Sequence, residues 1–84
     1  MKSEIIIDTS PLVAFIDKSD NFHQWTIATW KKLRPPLFTC EAVIAESCFL
    51  LQNVHGGENS ILSLLETGVI KIPLIFIIAH HNLQ

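Results

Sequence analysis

Asp8 follows the run Ile5-Ile6-Ile7 and precedes Thr9-Ser10-Pro11. A carboxylate where an apolar strand hands over to a helix lies at the carboxyl edge of an α/β sheet, where ligands bind in such folds. It can meet a hard cation there, because Mg²⁺ prefers oxygen ligands, or it can simply cap the turn. Glu46 is the second candidate. Its neighbours one helical turn away are Ala42, Val43, Phe49 and Leu50, all apolar. Glutamate is almost never fully buried without a partner. It must therefore meet a cation, a hydrogen-bond network or a wet cleft, or else snorkel to water from an edge position. Two carboxylates at one end of a sheet make half of a metal-dependent nuclease site, in which divalent ions activate water and offset the charge on phosphate.

Other residue sets carry weaker signals. His23, His55, His80 and His81 with Cys40 and Cys48 supply zinc-type donors, but not in the close pairs that structural zinc uses. No nucleophile motif supports a Ser-His-Asp or Cys-His arrangement. Gly56-Gly57 lacks a phosphate-loop pattern. Trp25 and Trp30 could stack on bases, although packing within a helical core or against a partner explains them more simply. Lys31, Lys32 and Arg34 form the nearest thing to a basic patch, but a solvated helix end explains them more simply.

The elements that must position Asp8 and Glu46 are legible from pattern. Ile5 to Ile7 reads as a buried strand. Ser10 is a good N-cap and Pro11 suits a first helical position. They predict a short helix bearing Leu12, Val13, Phe15 and Ile16, ended by the polar turn Asp17 to Asp20. Phe22, Trp25 and Ala28 recur at helical spacing and predict a second helix over 21–33, stopped by Pro35-Pro36. Leu37 to Thr39 reads as a second strand. A third helix is expected over 41–53, ended by Gly56-Gly57. A fourth covers 58–67, with Ile61, Leu62, Leu64 and Leu65 as its apolar set, and Gly68 ends it. Val69 to Ile72 reads as a third strand. The order βααβααβ implies an α/β fold with a parallel sheet of about three strands. Residues 1–72 form one domain. Residues 73–84 form an atypical tail, in which the apolar run Leu74 to Ala79 has neither helical nor strand alternation.

Composition narrows the class. The chain has 84 residues, 49% of them hydrophobic and 17% charged, against about 25% charged in ordinary domains. That balance argues against a disordered chain. The formal net charge is −2, so bulk electrostatics cannot bind nucleic acid. Two scattered cysteines are no disulfide framework. Glu4 and Asp8 interrupt any leader segment, and the longest apolar run is too short to span a bilayer. A cytoplasmic protein without membrane contact is expected.

The stretch from Ile6 to Asp17 resembles the opening of a PIN domain, the fold of metal-dependent ribonucleases that includes VapC-like toxins. Asp20 to His23 is similar to the turn that follows. Thr39 to Glu46 resembles the family's second acidic motif, and Gly68 to Ile72 its third strand. The match covers residues 4–72. It implies a truncated, PIN-like three-layer fold and a Mg²⁺- or Mn²⁺-dependent endoribonuclease acting on RNA, the toxin of a toxin–antitoxin pair. By resemblance Asp8 and Glu46 are catalytic and metal-ligand positions, with Ser10 or Thr9 as a supporting hydroxyl. Complete members supply further aspartates. This sequence has none after Asp20, and its later acids are Glu58 and Glu66. The expectation is an incomplete site, inactive alone and weak for metal, in a natural truncation, shifted frame or fragment. The alternative function is a non-catalytic protein-binding module, with an antitoxin segment lying on Phe15, Phe22, Trp25 and Trp30, or a decayed gene fragment. In complete members a later strand flanks the first, so a bare edge at Ile5 to Ile7 and homo-oligomers are also expected.

Overall fold

A computed structural model describes residues 5–73. Of the tail expected over 73–84, residues 74–84 lie outside the described residues, as do the expectations placed on them. The elements run α1 (Thr9–Ile16), α2 (His23–Trp30), β1 (Leu37–Phe38), α3 (Glu41–Leu50), α4 (Gly57–Glu66) and β2 (Ile70–Lys71).

The expected sheet of three strands is corrected to two. β1 and β2 run parallel, with Leu37 opposite Ile70 and Phe38 opposite Lys71. The segment Ile5–Ile7 contributes one parallel bridge, Ile6 to Phe38, rather than a strand. Two hydrogen bonds make it: Ile7 N–H donates to Phe38 O at 2.6 Å, and Phe38 N–H donates to Ile5 O at 2.8 Å. Both ends of the ladder are blocked. Pro36 has no N–H to extend β1 backwards, and beyond Ile7 the chain turns into α1 at Thr9. A truncated PIN-like three-layer fold is therefore not what this chain adopts. Among the described residues it is a small α/β arrangement of four helices and a two-stranded parallel sheet.

Asp8, rather than Ser10, caps α1. Its backbone is extended (φ −91°, ψ 176°) and its carboxylate accepts from Thr9 N–H. Pro11 then lies in the first turn, where backbone N–H groups have no intrahelical acceptor in any case. Ile7, Leu12, Leu37 and Ile70 form the core, with Leu12 and Ile70 fully enclosed. α1 packs against α2, α3 and α4.

α2 is shorter than the pattern suggests. Asp20 Oδ1 accepts from Phe22 N–H at 2.9 Å, which holds Asn21 and Phe22 in a turn. After Trp30, Lys32 N–H reaches Thr29 O and Leu33 N–H reaches Trp30 O, a tighter spacing that closes the helix before the prolines. Similar short-range bonds end α3 at Leu50: Gln52 N–H donates to Phe49 O and Val54 N–H to Leu51 O. Gly56 adopts a left-handed conformation (φ 73°) at the start of α4. At Gly57 an added Cβ would stand 2.9 Å from Leu51 Cβ, so this glycine lets α4 approach the end of α3. Among the described residues no helix is long and apolar enough to cross a membrane.

Candidate functional site

The parallel bridge fixes the placement of Asp8. Ile6 is opposite Phe38, so Asp8 and Cys40 leave the sheet at the same edge, two residues further along each chain. α3 starts at Glu41, at that same edge. Asp8 is exposed. One of its oxygens, Oδ1, accepts from Thr9 N–H at 2.8 Å, which leaves Oδ2 without a partner among the described residues. Beneath it, the Thr39 hydroxyl donates to Ile7 O at 3.1 Å. Thr39 is 1% exposed, so this bond ties the segment carrying Asp8 to the end of β1 away from water. Its positioning role was missed in the sequence. The available signal was a threonine directly after the apolar pair Leu37-Phe38.

Glu46 is placed differently. It lies five residues into α3, about 8 Å along the axis from Glu41 at 1.5 Å per residue. It is exposed. Its expected apolar neighbours are largely exposed with it: Phe49 at 65% and Leu50 at 52%. The buried residue of α3 is Ser47. Val43, Ile44 and Leu51, one turn from Ser47, form the inward face, so Glu46 sits on the outward one. No hydrogen bond or ion pair holds its carboxylate among the described residues.

The supporting hydroxyls separate. Thr9 is buried and Ser10 exposed, so Ser10 is the one that shares water with Asp8. Cys40 and Cys48 are free thiols. Burial pushes the Cys48 thiol up, and the Glu58 carboxylate adds to it, so it is a poor nucleophile at neutral pH. His23 is committed through Nδ1 to Ala14 O at 2.7 Å, and His55 is exposed. Among the described residues no three His, Cys, Asp or Glu side chains gather as a metal-binding group. By themselves the described donors do not fit a firmly held Mg²⁺ or Mn²⁺, which uses about six ligands. Phe22 and Trp25, each 67% exposed, stand outside the core, while Trp30 stacks on Phe15 with ring centroids 4.1 Å apart.

Comparison of the chain with models of protein families, with characterised proteins and with solved structures gives no match.

Proposed function

We propose that this chain is a catalytically incomplete relative of the PIN-type ribonucleases, carrying one ligand position of their site, Asp8, and not cleaving RNA on its own. What supports this is the placement of Asp8: an exposed carboxylate with one uncommitted oxygen, at the carboxyl edge of parallel-running segments. That is the edge where α/β sheets bind ligands. Glu46 is the second expected ligand, on a helix that starts at the same edge. Two carboxylates recruit a hard cation weakly. Misplacement by about 1 Å costs roughly a hundredfold in rate, so no turnover is assigned to this chain.

Two measurements test the proposal. Adding Mn²⁺ should broaden the NMR signals around Asp8, and Asp8→Asn should abolish the broadening. Its absence in the wild type would remove Asp8 as a ligand position. RNA incubated with Mg²⁺ or Mn²⁺ should be cut no faster than by the Asp8→Asn, Glu46→Gln double variant. Cleavage by the wild type alone would show that the site is complete.

One observation favours a second reading, a protein-binding module. Phe22 and Trp25 are exposed at one end of α2, and the exposed cations Lys31, Lys32 and Arg34 follow its other end. Such a surface suits an antitoxin-like segment with apolar side chains and flanking acids. Capture of a small acidic partner that is lost on Trp25→Ser would support it. Equal capture by the variant would remove α2 from the interface.

A further inference from the structure

We propose that the cleft between the α1–α2 turn and α4 is a binding site for a phosphate monoester bearing a compact apolar group. The cleft measures ≈ 390 Å³ and is lined by Lys18, His23, Ser60 and Ser63 beside Phe15, Ile27 and Leu64. Small-ligand sites span about 300 to 1,000 Å³ and combine apolar walls with a few placed polar groups. This one falls at the small end, which suits one ring and one phosphate. It contains neither Asp8 nor Glu46, so it stands apart from the function proposed above.

The polar groups select the ligand. His23 Nδ1 lies 2.7 Å from Ala14 O. A carbonyl only accepts, so Nδ1 carries the hydrogen and Nε2 remains available. This bond also fixes the ring across nine residues of chain, so the imidazole is held in place before any ligand arrives. The Ser60 hydroxyl donates to Gly56 O at 2.9 Å, which leaves its lone pairs to accept. The Lys18 ammonium and the Ser63 hydroxyl have no hydrogen bond among the described residues, and both can donate. The wall thus offers two donors, one acceptor oxygen and an imidazole nitrogen.

A carboxylate ligand has acceptors only, so it would leave Ser60 and neutral Nε2 unmatched. A phosphate monoester has a second pKa of about 6. Its monoanion can give a P–OH hydrogen to Nε2, a donor that a carboxylate does not have. The remaining oxygens meet Lys18 and Ser63. The apolar group rests on Phe15, whose ring is held by stacking on Trp30, and on Ile27 and Leu64.

The test is an NMR titration of the full chain with phenyl phosphate. Saturable shifts are expected at the His23 ring and at the Ser60 and Ser63 amides. Lys18→Ala should weaken binding roughly tenfold through loss of a charge-assisted hydrogen bond, and Ser63→Ala should weaken it several-fold. Both side chains are exposed, and an otherwise unchanged amide spectrum confirms that each variant is folded. Inorganic phosphate and benzoate should each bind more weakly, the first without the apolar contact and the second without the proton match. The proposal is overturned if His23 does not respond, if both variants titrate like the wild type, or if either control ligand binds as tightly as phenyl phosphate.

Discussion

α1 and α3 start at the same edge of the sheet, with one expected carboxylate before the first and one within the second, and they are anchored very differently. α1 is tied at both ends and in the middle. Asp8 accepts from Thr9 N–H at its start, Leu12 is fully enclosed, and Asp17 N–H donates to Val13 O at its end. α3 follows Cys40, which gives no side-chain cap. It buries only Ser47 and exposes Glu46, Phe49 and Leu50. The difference shows why two acids on neighbouring elements do not make a site. Asp8 is held by its own cap and by the Thr39 bond beneath it, whereas Glu46 keeps its rotamer freedom, and any ligand must offset the loss of that freedom.

The largest effect should come from the cores of the two helices. Leu12→Ala empties an enclosed position and should cost about 2 to 5 kcal/mol, much of the stability of so small a domain. Phe49→Ala removes more atoms from a side chain that is 65% exposed, and should cost no more than about 0.5 kcal/mol. Urea denaturation of both variants checks this. Similar losses would mean that the outer face of α3 is covered, and the contrast between the helices would fail.

That contrast was only partly legible in the sequence. The short runs around Asp8 were readable because β-branched residues, an aspartate and a proline each restrict the backbone in one direction. The inward face of α1 was only half readable, since Leu12 is enclosed but the equally apolar Val13 is not. In α3, Ala42, Val43, Ile44, Ala45, Cys48, Phe49 and Leu50 surround the helix, so no single face stands out and the polar Ser47 took the buried position. Phe22 and Trp25 likewise fit a helical period yet face water, because Thr26 occupies the buried position on α2. Sheet length was misread because apolar runs report burial, whereas pairing depends on whether N–H groups continue on both sides, and Pro36 ends that continuity.

Ser47 sharpens the comparison at intermediate size. Its hydroxyl is buried and has no hydrogen-bond partner among the described residues. A buried unpaired polar group costs about 1 to 3 kcal/mol, and alanine is the better helix former by up to about 0.7 kcal/mol. Ser47→Ala should therefore raise the denaturation midpoint, with a gain on the order of 1 kcal/mol. A loss of stability would show that the hydroxyl serves a contact made outside residues 5–73.

The acids themselves come next. Asp8→Ala removes a cap and should cost about 1 kcal/mol, while Asp8→Asn keeps an accepting oxygen and should cost a few tenths. Glu46→Gln should be silent in the same denaturation series. A Glu46→Gln loss equal to that of Asp8→Ala would mean that both helices hold their carboxylates alike.

The smallest effect concerns the far end of α1. The Ser19 hydroxyl donates to Asp17 Oδ1 at 2.6 Å and Ser19 N–H donates to it at 2.9 Å. Both bonds favour the ionised carboxylate, so they hold the Asp17 carboxyl below its ordinary value of 3.8, with a slight opposing push from desolvation and a lesser pull from His23. A carboxyl depressed in the folded state adds stability that is fully present above its unfolded value. That stability is lost as pH falls through the folded value. The window therefore lies below about pH 4, and neutral solutions do not sense it. The group is solvent-exposed, so the contribution is small. An NMR titration of the carboxyl carbons should place Asp17 below 3.8, and Ser19→Ala should move its midpoint part of the way back, since the backbone bond survives. An ordinary midpoint in the wild type would mean that the Asp17–Ser19 turn is open in solution, leaving the far end of α1 tied by the Asp17 N–H to Val13 O bond alone.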